Sequence, residues 1–239
     1  MIRASARQSG IRETTEQRPL VVSQLGKKQA SVRPLRKSTV REARREQLID
    51  ATIRSIARHG IGDTTMSTIT DIAGLSVGLV NFHFESKQKL FRETLLYLAR
   101  EHDAHWRSAH RRAGLSAADR LLAVADAHFD RRICKRRKLA VWYAFFGAAG
   151  RRSEYRALVD EIDNERLAVS VGLCEEIIAE GDYPRVPADV IARTLEGLYD
   201  GLWLNILMAP DQFDRRSGRQ QVRAYLHGVF PGHFPCPAF

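Results

Sequence analysis

The sequence of 239 residues is 44% hydrophobic and carries a formal net charge of +10 at pH 7. This hydrophobic share excludes a mainly disordered chain, and the length suits one large domain or two modest ones. The positive charge favours a polyanionic partner, either nucleic acid or an anionic membrane surface.

Two further classes are excluded by what the sequence lacks. It contains no run of about 18 apolar residues and no short apolar core of a signal peptide near its start. Its three cysteines, Cys134, Cys174 and Cys236, stand far apart without a Cys-x-x-Cys motif. This spacing argues against a zinc site and a disulfide framework. We therefore expect a cytoplasmic protein with no membrane contact, no metal and no cofactor.

Residues 1–39 are predicted to form a flexible basic arm. Residues 1–40 contain nine basic residues against two acidic ones, which is +7 of the total charge of +10. Because this stretch has no sustained helical period, it is expected to be flexible and able to track phosphates. A solvated tail, or a start codon placed too far upstream, would give the same pattern.

From Val40 onward the pattern predicts one helix after another and an all-α fold. Leu48, Ile49, Ile53 and Ile56 recur at helical spacing, and His59-Gly60 supplies a stop. We expect a helix-turn-helix domain over 40–86 and a helical ligand-binding and dimerisation domain over 87–239. Later amphipathic helices are predicted at 87–112, 117–131, 138–149, 153–180, 187–208 and 211–229.

Residues 61–91 contain two short helices around a tight turn at Ala73-Gly74-Leu75. Thr65 and Ser76 are placed to cap these helices, and Ser86 to cap the next one. Gly74 suits the left-handed backbone that a reversal within three residues needs. The second helix, about Val77–Phe82, would fit the major groove of DNA. An ordinary corner of a helical bundle is the alternative.

This stretch resembles the DNA-binding domain of the TetR family of repressors. The resemblance rests on Ala73-Gly74-Leu75-Ser76, on His83-Phe84, and on Lys87 before Leu90-Phe91. Asn81 departs from the family pattern, where an aromatic is common, and so does Thr70, where alanine is usual; we expect altered phosphate contacts and a looser corner. The resemblance implies phosphate contacts from Thr65, Asn81, His83 and Lys87, groove contacts from Ser76, Val77 and Leu79, and close backbone approach at Gly78.

Aromatic residues crowd two later helices, in the segments VWYAFF and LYDGLW. Core packing would explain them, but aromatic faces beside a carboxylate also form a cage for a quaternary ammonium. Trp142, Phe145, Tyr155-Arg156, Arg166-Leu167 and Asp200-Gly201-Leu202-Trp203 resemble the ligand domain of the choline-responsive BetI subgroup of the TetR family. We predict that a small cationic effector binds to Trp142, Tyr143, Phe146, Asp200 and Trp203.

Two apolar stripes predict a homodimer that reads a two-fold operator in double-stranded DNA. The alternative is that both stripes pack inside one subunit. The first stripe contains Ile191, Leu195, Leu198, Leu202 and Ile206, and the second contains Val222, Tyr225, Leu226 and Val229.

No constellation of residues supports catalysis, so no catalytic residue is predicted. Cys134 lies in the basic run 131–138, where cations would favour a thiolate; a solvated loop is expected there and a redox sensor is the alternative. Asp160, Glu161 and Asp163 are expected on a solvated surface. Two other functions stay open: a basic architectural DNA-binding protein without ligand control, and an all-α enzyme acting on a small amine.

Overall fold

The computed structural model describes residues 36–112, 114–183 and 186–238, so most of the predicted basic arm lies outside the described residues. Nine helices and no strand occur within these ranges, as the all-α prediction requires. The helices are α1 (Arg36–Asp63), α2 (Met66–Ala73), α3 (Val77–Phe84), α4 (Lys87–His110), α5 (Ala117–His128), α6 (Arg136–Gly147), α7 (Arg152–Gly181), α8 (Ala188–Met208) and α9 (Arg215–Val229).

Helix α1 begins inside the predicted arm and bends at the predicted stop. Its first residue is Arg36, four residues before Val40. At Gly60 the backbone has φ 78° and ψ 170°, outside the helical region, so the regular helix ends there and one extra turn follows. Glycine adopts this conformation without the steric cost that a Cβ atom would add.

Two groups of buried apolar residues hold the helices together. The N-terminal core joins α1 through α4, and it also includes Val141 and Phe145 of α6 and Tyr155 and Val159 of α7. The C-terminal core lies among α5 to α9, with Phe129, Leu173 and Leu226 near its centre. Helix α6 therefore contributes to the first core with one face, while Trp142 packs against both cores.

Every helix in the described ranges is too short or too polar to cross a lipid bilayer.

Candidate functional site

The ends of α2 and α3 are fixed by the side chains that the sequence predicted. The Thr65 hydroxyl accepts from the Thr68 amide at 3.1 Å, and the Thr68 hydroxyl accepts from the Thr65 amide in return. Ser76 caps α3 through the Leu79 amide. Gly74 ends α2 with φ 63° and ψ 36°, which is the left-handed conformation expected there. The predicted caps and turn are confirmed.

Longer contacts attach this corner to the neighbouring helices. Gln47 of α1 donates to the Ala73 carbonyl at 2.7 Å, and Arg45 of α1 donates to the His83 carbonyl at 2.8 Å. Lys87 of α4 donates to the Thr64 carbonyl at 2.8 Å. The Thr70 hydroxyl bonds to the carbonyls of its own helix, so this departure from the family pattern fits inside the corner.

The two helices present most of the predicted DNA-contacting residues to solvent. The side chains of Ser76, Val77 and Asn81 are exposed, and Leu79 is half-buried beside them. Thr65 is exposed at the start of α2. Phe82, which the sequence analysis did not select, is 68% exposed on the same helix. Its exposure on α3 is the signal that could have found it.

His83 and Lys87 differ from the other predicted contact residues. His83 is 7% exposed, and its buried Nδ1 has no partner among the described residues. Burial, followed by the charges of Arg41 and Arg45, lowers the pKa of His83, so a neutral imidazole would face a phosphate. Lys87 is half-buried and spends one N–H on Thr64, which leaves two donors.

All five residues predicted to bind a ligand line one cavity of about 710 Å³. Trp142 and Phe146 stack on α6 with ring centroids 5.6 Å apart. The Tyr143 hydroxyl donates to the Asp200 carbonyl at 2.6 Å and so joins α6 to α8. The sequence analysis missed the other lining residues: His102, His128, Arg152, Arg156, Asp163, Asn164, Arg166, Leu167, Arg193, Glu196 and Tyr199.

A buried ion network lies in the cavity wall. The Arg166 guanidinium donates to both carboxylate oxygens of Glu196, at 3.2 and 2.5 Å, and to Asp163 at 3.0 Å. Only 7% of Arg166 is exposed. One cation therefore faces two carboxylates, and this part of the wall carries a net negative charge. The prediction that Asp163 belongs to a solvated surface is wrong, because it is half-buried in this network.

The Asp200 carboxylate has no hydrogen-bond or ion-pair partner among the described residues, although its side chain reaches solvent through the open cavity. Surrounding atoms desolvate it enough to raise its pKa, and the Glu196 carboxylate raises it further. A carboxylate with a raised pKa lacks a compensating cation. A cation placed in the cavity would therefore gain from Asp200.

The other arginines of the cavity lie at its solvent side. Arg152, Arg156 and Arg193 are exposed, so solvent and salt screen their charges. Arg156 pairs with Asp160 at 3.7 Å, and its guanidinium lies 5.8 Å from the centre of the Phe146 ring. An aromatic face of this cavity thus already attracts a cation.

Helical spacing could have found some of the missed residues but not all. Glu196, Tyr199, Asp200 and Trp203 stand at i, i+3, i+4 and i+7, so they share one face of α8. His102 and His128 come from α4 and α5, and nothing in their local sequence indicates a cavity. Across the described ranges, no three metal-ligating side chains come together.

The prediction for Cys134 is wrong in both forms. The residue is 5% exposed in the C-terminal core, not in a solvated loop. Burial raises the pKa of its thiol to about 12, which outweighs the opposing charges of Arg215 and Arg219. A thiol at this pKa stays protonated and is a poor redox sensor.

The first apolar stripe belongs mainly to the interior of one subunit. Ile191, Leu195, Leu202 and Ile206 are each no more than 5% exposed and lie in the C-terminal core. Leu198 is half-buried. Val222 and Leu226 of the second stripe are buried in the same core, while Tyr225 and Val229 are half-buried. The packing alternative accounts for most of both stripes.

Comparison with known families agrees with the two parts of the molecule. Residues 48–94 match the model of bacterial regulatory proteins of the tetR family, and residues 117–231 match that of the BetI-type transcriptional repressor C-terminal domain. The HTH-type transcriptional regulator BetI of Burkholderia mallei (strain NCTC 10229) is 33% identical over 189 residues, which cover 78% of this chain and 93% of that protein. The chain belongs to the TetR family. It is a transcriptional regulator with a BetI-type C-terminal domain.

Solved structures of TetR-like regulators share this fold. A transcriptional regulator from Pseudomonas aeruginosa PAO1 has a TM-score of 0.69 and 33% identity, with 80% of this chain and 93% of that chain covered. A regulator from Saccharomonospora viridis, solved in complex with choline, has a TM-score of 0.66 and 20% identity, with 78% and 96% covered.

Proposed function

We propose that this TetR-family regulator represses transcription as a homodimer on operator DNA and leaves the operator when a small organic cation binds in the cavity. The carrying observation is the Asp200 carboxylate, which stands without a described partner among Trp142, Tyr143, Phe146 and Trp203. Aromatic faces attract a quaternary ammonium, and a desolvated carboxylate balances its charge. The choline complex of the Saccharomonospora viridis regulator supports this class of effector.

On the DNA side, the proposed contacts follow from exposure on α3 and its flanks. Val77, 44% exposed, and half-buried Leu79 would touch thymine methyl groups in the major groove, and Ser76 would hydrogen-bond there. Gly78 would let the backbone approach the groove. Thr65, Asn81, His83 and Lys87 would hold phosphates, which fixes the position of α3 without reading sequence.

A different face of α8 from the predicted one is proposed for the dimer. This face has exposed residues at alternating spacings of three and four, which is the pattern of a helix-packing stripe. Its two glycines leave open space where a partner helix would approach. Two subunits joined there would place their α3 helices on a two-fold operator, about 34 Å apart. The face contains Val190, Thr194, Gly197, Gly201, Leu204 and Met208.

The cavity also separates this proposal from the two alternatives. An architectural DNA-binding protein has no need of a cavity of about 710 Å³ with an uncompensated carboxylate. An enzyme acting on a small amine would need a nucleophile or a paired acid and base directed at the ligand. In the described part of the cavity wall, Asp163 and Glu196 are instead held by Arg166.

Titration calorimetry with choline and with its neutral carbon isostere, 3,3-dimethylbutan-1-ol, tests the cation directly. The wild-type protein should bind choline more tightly. Asp200→Asn should weaken choline by about tenfold or more, where tenfold corresponds to about 1.4 kcal/mol, and should leave the isostere unaffected. Asp189→Asn, an exposed aspartate on the same helix, is the matched control.

A DNA duplex selected by the wild-type protein from a random pool serves as the operator. Choline should release wild-type protein from it, whereas Asp200→Asn should bind the duplex normally and resist release. The proposal fails if Asp200→Asn weakens the dimer and its DNA binding with no ligand present, because Asp200 would then be a structural residue.

A further inference from the structure

Three buried rings lie side by side at the inner end of the cavity. His102 of α4 and His128 of α5 have ring centroids 4.4 Å apart, and His128 stacks on Tyr199 of α8 at 3.8 Å. Each is no more than 5% exposed, yet all three line the cavity. They form its deepest polar surface.

The hydrogen-bonding capacity of these rings is not used within the described residues. His102 Nε2 and the Tyr199 hydroxyl are both buried without a partner. Such a group costs about 1–3 kcal/mol when nothing replaces its lost water. His128 Nδ1 lies 3.0 Å from the Val124 carbonyl, so it carries the proton and leaves Nε2 as an acceptor. Free donors and acceptors therefore face one small region.

The region is polar but uncharged. Burial lowers the pKa of His102 and His128 far below the usual range, and the Arg166 charge lowers both further; His128 adds to the effect on His102. Both imidazoles are neutral at neutral pH. Arg166 itself is paired with Glu196 and Asp163, so it has little charge left for an anion. A carboxylate entering here would be desolvated without a cation to balance it.

We infer that His102, His128 and Tyr199 form a hydrogen-bonding subsite for a hydroxyl group on the effector. A hydroxyl suits the subsite because it can accept from Tyr199 and donate to an imidazole nitrogen at once. The His102 and Trp203 ring centroids are 5.7 Å apart, so the hydroxyl lies only a few bonds from a cation held at Trp203. The cationic half of this ligand rests on the proposed function; the hydroxyl half does not.

Three probes separate the two halves by calorimetry on the full chain. Choline carries both groups, ethyltrimethylammonium lacks the hydroxyl, and 3,3-dimethylbutan-1-ol lacks the charge. Wild-type protein should bind choline about 3- to 10-fold more tightly than ethyltrimethylammonium, which is the usual worth of one hydrogen bond. Equal binding of these two cations would overturn the subsite and leave the cation proposal standing.

Tyr199→Phe removes only the unpartnered oxygen. It should lower the affinity for choline and for 3,3-dimethylbutan-1-ol about 3-fold or more, and leave ethyltrimethylammonium unchanged. The melting temperature without ligand should stay the same or rise, because no bond is lost. Tyr155→Phe, a buried tyrosine outside the cavity lining, is the control and should change none of the three affinities.

The possible results distinguish the two proposals. If only the alcohol and choline respond to Tyr199→Phe, and charge makes no difference to binding, the subsite stands and the cation proposal fails. If Tyr199→Phe weakens all three ligands equally, Tyr199 only shapes the cavity and the inference is wrong.

Discussion

The helix-turn-helix is fixed by contacts between close neighbours in the chain, whereas the cavity is fixed by contacts between distant residues. Thr65 and Ser76 each bond an amide three residues away. In the cavity, Tyr143 meets Asp200 across 57 residues, and Trp203 donates to the His128 carbonyl across 75. A region of the first kind can be recognised from a short stretch of sequence. A region of the second kind depends on how whole helices pack.

The largest expected effect tests the long-range half of this comparison. Arg166→Met leaves Glu196 and Asp163 buried without their cation, which should destabilise the protein by about 3–5 kcal/mol. For a chain of this size the melting temperature should fall by about 10 °C.

The matched control lies on the same helix. Arg156→Met breaks only the pair with Asp160, in which both side chains are about half exposed, and should cost less than about 1 kcal/mol. Equal melting temperatures for the two variants would show that the buried network does not hold α7 to α8.

Two glycines of the helix-turn-helix should respond with opposite signs. Gly74→Ala puts a Cβ on a left-handed backbone and should cost about 1–2 kcal/mol, although no atom lies within 4 Å of that Cβ. Gly78→Ala should add about 0.5–1 kcal/mol of stability, since its Cβ meets only the Ser76 hydroxyl at 3.9 Å.

Thermal denaturation measures both signs, and binding to the selected duplex adds a second reading. Gly78→Ala should fold better but bind DNA less well, because its methyl group holds the backbone away from the groove. A Gly78→Ala variant that binds as tightly as wild type would exclude close backbone approach at this position.

The smallest effect concerns a single phosphate contact. Lys87→Met keeps the stem of the side chain but removes the charge, so the slope of log affinity against log salt should decrease by about 0.9. Lys89→Met is the control, since Lys89 is exposed and paired with Glu85. An unchanged slope for Lys87→Met would remove this residue from the DNA interface.

The same comparison explains what the sequence could predict. Caps and turns act within a few residues, so Thr65, Gly74, Ser76 and Ser86 could be assigned from their immediate neighbours in the chain. Aromatic residues beside an acid identified half of the cavity, because Asp200 and Trp203 share a helix face. His102 and His128 could not be found, since only the packing of α4 and α5 brings them to Tyr199.

Burial corrected the remaining predictions. Cys134 stands in a basic run, yet its side chain points into the C-terminal core. The stripe through Leu195 and Leu202 is apolar because it packs inside the subunit, which amphipathic spacing alone does not distinguish from a dimer face.

Helix α6 has a thermodynamic consequence for how the regulator is measured. Phe145 lies in the core shared with α1 and α4, while Trp142 and Phe146 of the same short helix line the cavity. Coupling between two binding sites is reciprocal, so the factor by which effector weakens DNA binding equals the factor by which DNA weakens effector binding. A calorimetric titration of effector into the protein–DNA complex must therefore return the same coupling free energy as a DNA titration at saturating effector.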